Sequence, residues 1–363
     1  MPFYTNIKMK NTYKSIIYIA AAITAASCAK TVNEGTNVAE KRYLDAWIEV
    51  NHNGLKATWN GEERTDGNGI YIFDEVAGDG KEVNDNGYAI VEYRTYDLNG
   101  NITSYTDSET AKQLGEYSPA TYYGPTVWLT IDETIQAGLQ NAINGMKVGG
   151  KKKVLIPSWL MTYSSYGSVG EYLKHSSDYS DTIYEFTVTD FTDSIDVWQN
   201  NKIKEYIKEE YGDEKAFSND TTGFYIRHWE TVPEGAEEFP KDTSIYINYT
   251  GKLLNGLVFD TTSERVAKDN DIYDAGRTYS PVKINWAESF SELTMGTDGS
   301  SVIAGFAYTL WKMRYNPDDS DWKDKATGIF YSPLGYGYSG SGSSIPGYSP
   351  LIFEIEIVDE PEE

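Results

Sequence analysis

The residues of this chain whose types and order could form a chemical site lie in its last third. They are aromatic and aliphatic side chains, accompanied by one carboxylate and one loop tyrosine. A set of this kind contains no nucleophile and no histidine, so its chemistry would come from apolar enclosure and not from proton transfer. In chain order the segments are residues 249–260 (YTGKLLNGLVFD), 302–306 (VIAGF), 333–337 (PLGYG), 345–346 (IP) and 351–357 (LIFEIEI).

These segments, taken together and in this order, resemble the FKBP family of peptidyl-prolyl cis-trans isomerases. None of them is specific alone, because a strand with a Gly turn and a Phe-Asp pair occurs in many proteins. The order of the segments and the alternating strand at residues 351–357 carry the resemblance. It implies an α+β architecture in which a curved antiparallel sheet wraps around a short helix.

Prolyl isomerisation, the activity that the resemblance implies, needs no acid, base or nucleophile. Its barrier of about 18–20 kcal/mol comes from amide resonance. A pocket that takes the X-Pro amide out of water disfavours the planar, charge-separated form, and a pocket shaped for the twisted amide binds the transition state more tightly. We therefore expect an aromatic-walled hole with one or two polar groups at its rim, without a cofactor or a metal.

The resemblance assigns nine residues to this pocket. Three match the first wall with its acidic rim, and two match the loop whose backbone N–H holds the substrate carbonyl. One stands at the floor, where the family usually has Trp, one matches the rim hydroxyl, and two match the far wall. For the floor and far-wall aromatics, core packing alone is the alternative. In that order the residues are Tyr249, Phe259, Asp260, Val302, Ile303, Phe306, Tyr336, Ile345 and Phe353.

Two insertions interrupt the segments. Between Asp260 and Val302 the chain is far longer than in a minimal family domain, and residues 316–328 (NPDDSDWKDKATG) separate the central helix from the next strand. Insertions belong in surface loops and often carry function. We expect both to flank the pocket mouth, where they either add specificity or obstruct it.

A weaker match to the same family lies in the first half of the chain. Residues 135–157 look like the family's central helix and the strand after it, and Tyr93 is kept. The other pocket positions differ: Thr103 and Ser104 replace the Phe-Asp pair, Gln136 replaces the loop Ile, Leu139 replaces the floor aromatic, and Tyr163 or Tyr166 serves the Tyr-Gly loop. A polar, shallow hole would not desolvate an amide, so this copy is predicted to keep the fold without the activity.

A helix, a strand that begins with Gly and an aromatic residue, and a β-rich stretch occur twice along the chain. Residues 40–50 and about 197–211 have the apolar spacing of helices, and Gly212 ends the second. The repeat length of roughly 155 residues indicates tandem duplication and not a solenoid. We predict two tandem FKBP-like domains at residues 40–195 and 196–363, each preceded by an extra helix.

Other functional classes find little support in the composition. The net charge of −24 argues against nucleic-acid binding, which needs clustered Lys and Arg. The three histidines, His52, His175 and His228, lie far apart and lack metal-ligand spacing. No Ser-His arrangement suits nucleophilic catalysis.

The amino-terminal segment has the pattern of an export signal. Three lysines precede an apolar stretch at residues 16–26, and small residues lead to Cys28, which is the single cysteine. The stretch is too short to span a bilayer, which takes about 20 apolar residues. Cys28 after small residues resembles a lipobox; the alternative is an ordinary secretion signal with an incidental Cys. We predict a lipoprotein signal peptide at residues 1–28 and a tether at 29–39.

These observations predict an exported lipoprotein of the bacterial cell envelope. It would be lipid-anchored, to the outer membrane in particular, and would face the periplasm or the cell surface. The second domain would be a peptidyl-prolyl isomerase or folding helper for envelope or exported polypeptides that contain X-Pro bonds. The alternative is a non-catalytic module that recognises protein or glycan, which the many Tyr and Trp residues of the long loops suit. A deep aromatic hole favours catalysis, and a filled hole favours binding.

Replacing Cys28 with Ser tests the predicted anchor. The variant lacks the thiol that would carry the lipid, so it should leave the membrane fraction and become soluble in the compartment to which it is exported. Fractionation of expressing cells, followed by detection of the chain, measures this. A Cys28→Ser chain that stays in the membrane fraction would contradict the lipobox interpretation.

Overall fold

The computed structural model describes residues 36–131, 134–163, 166–174 and 179–361. These residues fall into two compact units, one with residues 36–53 and 166–174 and the other with residues 54–163 and 179–361. The predicted signal peptide and Cys28 lie outside the described residues. No helix in the described ranges has the length and apolar character needed to cross a membrane.

The first unit contains helix α1 (Thr36–Asn51) and a helical turn at Val169–Tyr172. The helix predicted at residues 40–50 is confirmed, but the tether predicted at 29–39 is wrong for its last four residues, which are helical. Asn37 explains the early start, because its buried side-chain amide donates a hydrogen bond of 3.1 Å to the carbonyl of Tyr172. This contact holds the first turn of α1.

The second unit opens with a hairpin and a six-stranded antiparallel sheet. The hairpin consists of β1 (Ala57–Trp59) and β2 (Glu62–Arg64). The sheet consists of β3 (Tyr71–Val76), β4 (Tyr88–Tyr96), β5 (Ile102–Tyr105), β6 (Thr126–Leu129), β7 (Lys151–Ile156) and β8 (Thr182–Thr192). The strand order is β3-β7-β8-β4-β5, with β6 also paired to β4. Helices α2 (Ser108–Leu114) and α3 (Ala137–Ile143) and a 3-10 turn (Ser158–Leu160) connect the strands.

A nine-stranded sheet forms the rest of the second unit, after helix α4 (Ile195–Tyr211) and a 3-10 turn (Glu214–Ala216). Its strands are β9 (Ser218–Thr221), β10 (Phe224–His228), β11 (Ser244–Leu253), β12 (Val258–Thr261), β13 (Val282–Asn285), β14 (Thr294–Met295), β15 (Ser300–Ser301), β16 (Lys325–Phe330) and β17 (Leu351–Val358). The connections include α5 (Glu264–Asp269), α6 (Ala304–Lys312) and 3-10 turns at Phe290–Glu292 and Ser332–Leu334.

The two sheets share one topology. The larger sheet contains the path β10-β16-β17-β11, and both β12 and β13 pair with β11. The smaller sheet has the same arrangement: its path is β3-β7-β8-β4, and both β5 and β6 pair with β4. Helix α6 precedes β16 as α3 precedes β7. The predicted α+β class is therefore confirmed, with two antiparallel sheets of one topology in tandem. The domain boundary between residues 195 and 196 stays a prediction.

Helix α3 is shorter than the helical spacing of its apolar residues predicts. These residues are Ile135, Leu139, Ala142, Ile143 and Met146. Ile135 and Met146, at the two ends of the spacing, are buried but lie outside the helix. Asn144 adopts an extended conformation and Gly145 has φ 77°, so the chain leaves the helix before Gly149. The apolar pattern thus identifies the buried face correctly but not the end of the helix.

Helix α4 packs on the outer face of the larger sheet and also holds a loop. Its Ile203 and Ile207 form a buried cluster with residues of β10, β16 and β17. Gln199, one turn earlier, is fully buried. Its Oε1 accepts a hydrogen bond of 2.7 Å from the Ser332 amide, and its Nε2 donates one of 3.0 Å to the Ser332 hydroxyl. Ser332 begins the loop that carries Tyr336, so α4 fixes where this loop starts.

Replacing Gln199 with Ala should destabilise the chain. The substitution leaves the buried amide and hydroxyl of Ser332 without partners, which costs about 1–3 kcal/mol. The free energy of unfolding from urea denaturation measures the loss. Lys204→Ala, an exposed substitution on the same helix, is the matched control. Equal stability of the two variants would show that the Gln199–Ser332 pair contributes nothing.

Candidate functional site

A cavity of about 490 Å³ opens in the second copy, between the sheet, the start of α6 and the loop after β16. All nine residues that the sequence assigns to the pocket line it. Five further residues also line it, and they were not predicted. The cavity is lined by Tyr249, Phe259, Asp260, Arg277, Met295, Ser301, Val302, Ile303, Phe306, Tyr336, Ser341, Ser344, Ile345 and Phe353. The structure thus places the nine together, and their part in catalysis stays a prediction.

Aromatic rings in edge-to-face contact form the floor and one wall. The Phe306 ring lies 5.5 Å from the Tyr249 ring and 5.0 Å from the Phe353 ring, centroid to centroid. Phe259 meets Phe353 at 5.6 Å. Each such pair contributes about 0.5–1.5 kcal/mol beyond its burial. Phe306 and Phe353 belong to the buried core of the second copy and also line the cavity, so packing and enclosure depend on the same side chains.

Two glycines make room for these rings. A Cβ at Gly251 would lie 2.6 Å from the Phe259 ring and 2.9 Å from the Phe353 ring. A Cβ at Gly305 would lie 2.3 Å from the ring of Phe330, which supports the cavity from behind. A real Cβ does not come this close to other heavy atoms. Both positions therefore require glycine while the aromatic residues stay where they are.

The acidic group at the rim is paired on both oxygens. Tyr249 donates a hydrogen bond of 2.6 Å from its hydroxyl to Oδ2 of Asp260, and Arg277 donates one of 2.5 Å from Nη1 to Oδ1. The Arg277 guanidinium also lies over the Tyr279 ring at 5.3 Å. Burial and the neighbouring carboxylate of Asp260 raise the pKa of Tyr249, so its hydroxyl remains a donor at neutral pH. Both carboxylate oxygens of Asp260 therefore accept hydrogen bonds from side chains of the rim.

Tyr336 is a partly exposed tyrosine at the rim of the cavity. It follows the 3-10 turn Ser332–Leu334, and Gly337 after it adopts φ 62°. The Gly337 amide donates to the Ser332 carbonyl at 2.8 Å, which holds the turn closed. Burial and the negative charge of Asp260 raise the pKa of Tyr336, so this group also stays protonated.

The two insertions have different positions. Residues of the first insertion, Arg277, Met295 and Ser301, line the cavity, which remains open. The second contributes no lining residue, so the expectation that both flank the mouth is wrong. Backbone hydrogen bonds between Tyr315 and Glu237 hold the start of this loop at a different edge, and its last four residues belong to β16. No spacing in the sequence marks Arg277, because its partner Asp260 lies 17 residues away on a different element.

Around Tyr93, the counterpart of Tyr249, the first copy has a different set of rings. Strand pairing places Ser104 opposite Thr95 as it places Asp260 opposite Gly251, which confirms the predicted alignment. The ring of Trp128 on β6 packs 5.6 Å from Tyr93, 6.0 Å from Tyr184 and 5.3 Å from Phe186. The sequence interpretation missed Trp128, because β6 lies far from the motif positions along the chain. Tyr93 therefore contacts an indole, whereas its counterpart Tyr249 contacts the rings of Phe306 and Phe353 that line the cavity.

Comparison with known proteins gives a family match within the second copy. Residues 235–358 match the model of the family described as FKBP-type peptidyl-prolyl cis-trans isomerase. A probable FKBP-type peptidyl-prolyl cis-trans isomerase of Haemophilus influenzae is 31% identical over 116 residues, 32% of this chain and 34% of that protein. The macrophage infectivity potentiator of Trypanosoma cruzi is 29% identical over 32% of this chain and 43% of its own length. The FKBP-type 22 kDa isomerase of Escherichia coli is 24% identical over 42% and 56%.

The chain therefore spans about a third to just over half of the length of these relatives. Among solved structures, FkpA from Escherichia coli is similar at 25% identity over 45% of this chain and 60% of that chain, with a TM-score of 0.29. The three FKBP domains of wheat FKBP73 are similar at 15% identity over 81% and 94%, with a TM-score of 0.26. By the family match and the sequence relatives, residues 235–358 are similar to the FKBP-type peptidyl-prolyl cis-trans isomerases.

Proposed function

We propose that the second copy is a peptidyl-prolyl cis-trans isomerase acting on X-Pro bonds of polypeptides. The observation that carries the proposal is the open cavity of about 490 Å³ walled by Tyr249, Phe306 and Phe353 within the family-matched segment. An open aromatic hole favours catalysis over the alternative of a binding module with a filled pocket.

The mechanism follows from enclosure and shape. A prolyl ring that enters the cavity and packs on the rings of Phe306 and Phe353 takes its amide out of water, and the planar, charge-separated form of the amide loses stability relative to the twisted form. The resonance barrier is about 18–20 kcal/mol, and only interactions stronger in the twisted state lower it. As the family resemblance implies, a backbone N–H of the loop at Val302 and Ile303 would hold the substrate carbonyl, and the Tyr336 hydroxyl would donate at the rim. No proton leaves or joins the substrate.

We further propose that the first copy does not catalyse isomerisation. Trp128 packs against Tyr93, and Leu139 and Ser104 stand where the second copy has Phe306 and Asp260. We expect that this copy, without a floor aromatic and without the Phe-Asp pair, does not enclose an amide. The activity would belong to the carboxyl-terminal copy alone.

The sequence alone supports the cellular setting. The export signal and Cys28 suggest a lipid-anchored envelope protein of a bacterium, with exported or envelope polypeptides as clients. A folding helper of this kind would reach its clients after they cross the inner membrane.

The walls of the cavity should matter more for catalysis than its carboxylate. Phe306→Ala and Phe259→Ala should each lower kcat/KM about tenfold or more, because truncating a buried aromatic removes about 3–5 kcal/mol of packing, part of which is transition-state binding. Asp260→Ala should have a smaller effect, because this group only orients Tyr249 and Arg277. Isomerisation of a short X-Pro peptide measures all three. Phe259 is only half-buried, so its variant keeps the test valid if Phe306→Ala fails to fold.

The same rates should be nearly independent of pH between 6 and 8. The pKa values of Tyr249 and Tyr336 are raised above the usual value of 10.0, so both hydroxyls stay protonated throughout this interval. No histidine lines the cavity. A bell-shaped profile, or an inactive Asp260→Ala beside an active Phe306→Ala, would indicate acid–base chemistry instead.

Matched substitutions in the full chain test the division between the copies. Leu139 and Phe306 occupy the same position of their short helices, the third residue of α3 and of α6. Leu139→Ala should leave kcat/KM within about twofold of the wild type, whereas Phe306→Ala should remove most of it. If Leu139→Ala reduces activity as strongly while the chain remains folded by circular dichroism, the first copy takes part in catalysis.

A further inference from the structure

The far wall of the cavity is built on a turn that has no large side chains at residues 339–344. Ile345 lies at one end of this turn, where its amide and carbonyl exchange hydrogen bonds of 3.1 and 2.7 Å with the backbone of Ser341. Gly340 and Gly342 have φ 66° and 57°, and the segment 339–344 reads SGSGSS. Glycines and small serines bring no large side chain to anchor such a turn, so its position depends on backbone hydrogen bonds and on neighbouring segments.

Those neighbours come from the first copy. The Tyr122 amide donates a hydrogen bond of 2.9 Å to the carbonyl of Ser343 at the tip of the turn, and the Thr121 hydroxyl lies 3.5 Å from the Ser343 hydroxyl. The Tyr122 ring packs against the buried core of the second copy, and this burial raises its pKa. Beyond the turn, Tyr88 meets Tyr348 edge-on at 5.6 Å.

The loop that carries Tyr122 joins α2 to β6. Its counterpart in the second copy, between α5 and β13, carries Arg277 to the cavity rim. The two equivalent loops therefore approach the same cavity. The loop of the second copy brings Arg277 to Asp260 at the rim, and the loop of the first copy brings Tyr122 to the turn that carries Ile345. The hydroxyl of Tyr122 stays within its own loop and donates to the Pro125 carbonyl at 3.1 Å, so the contact with the second copy is made by the ring and the backbone.

We propose that Tyr122 is a positioning residue for the cavity of the second copy, which means that the first copy serves as an internal support for the Ile345 wall. The first copy then contributes to the site by holding the turn 341–345 in the conformation that completes the far wall of the cavity. The consequence for substrate binding rests on the proposed isomerase function; the support itself does not.

Three variants of the full-length chain separate the possibilities. Tyr122→Ala removes the supporting ring, Tyr122→Phe keeps the ring and loses only the bond to Pro125, and Tyr117→Ala removes an exposed tyrosine of the same loop that stacks on Tyr123 within the first copy. Two readouts apply to each: isomerisation of a short X-Pro peptide over a range of concentrations, and amide hydrogen exchange at residues 341–348 compared with α6.

Tyr122→Ala should raise KM roughly 3- to 10-fold with a smaller change in kcat, the range expected for a residue that acts through one intervening element. Its amides at 341–348 should exchange faster while those of α6 do not. Tyr122→Phe and Tyr117→Ala should match the wild type in both readouts. Exchange at 341–348 that is unchanged in Tyr122→Ala, or accelerated equally throughout the second sheet, would overturn the proposal. A wild-type chain without isomerase activity would overturn the proposed function, and exchange would then decide the support alone.

Discussion

The ring of Phe353 is the contact on which the site depends. It is 5% exposed, stands on β17 between β11 and β16, and touches the rings of Tyr249, Phe259, Phe306 and Phe330. The core of the second copy and the wall of its cavity therefore share one cluster. Because every ring in it is held by others, the cavity has a fixed shape before a substrate arrives, which shape-based stabilisation of a twisted amide requires.

The two copies have the same topology but different residues at the positions that line the cavity of the second copy. Both have the same strand path and a short helix before the same strand. At the position of Gly251 the first copy has Thr95, whose hydroxyl is hydrogen-bonded to Thr103 at 2.8 Å, and Trp128 packs against Tyr93, the counterpart of Tyr249. A residue with a Cβ, such as Thr95, cannot stand at the position of Gly251 while the rings of Phe259 and Phe353 keep their places, because the Cβ would collide with both rings. Function here depends on a few side chains and on the glycines that make room for them.

The sequence predicted the repeated fold and the nine lining residues because both depend on local patterns: apolar spacing, Gly turns and motifs in a known order. It did not predict Arg277, Trp128 or the Gln199–Ser332 pair, because each depends on a partner on a different element, 133 residues away in the last case. Tyr122 belongs to the same class, since its partner Ser343 lies in the other copy. Contacts of this kind follow from the packing of elements and leave no periodic signal along the chain.

The most direct test of the account is exchange spectroscopy by nuclear magnetic resonance on a short X-Pro peptide with a catalytic amount of the full-length chain. Uncatalysed cis–trans exchange takes tens to hundreds of seconds at 25 °C. The account predicts exchange cross-peaks at mixing times of about a second or less, with the peptide free in solution before and after. A peptide whose resonances shift on binding but whose isomers exchange at the uncatalysed rate would contradict it, because the cavity would then bind prolyl peptides without acting on them.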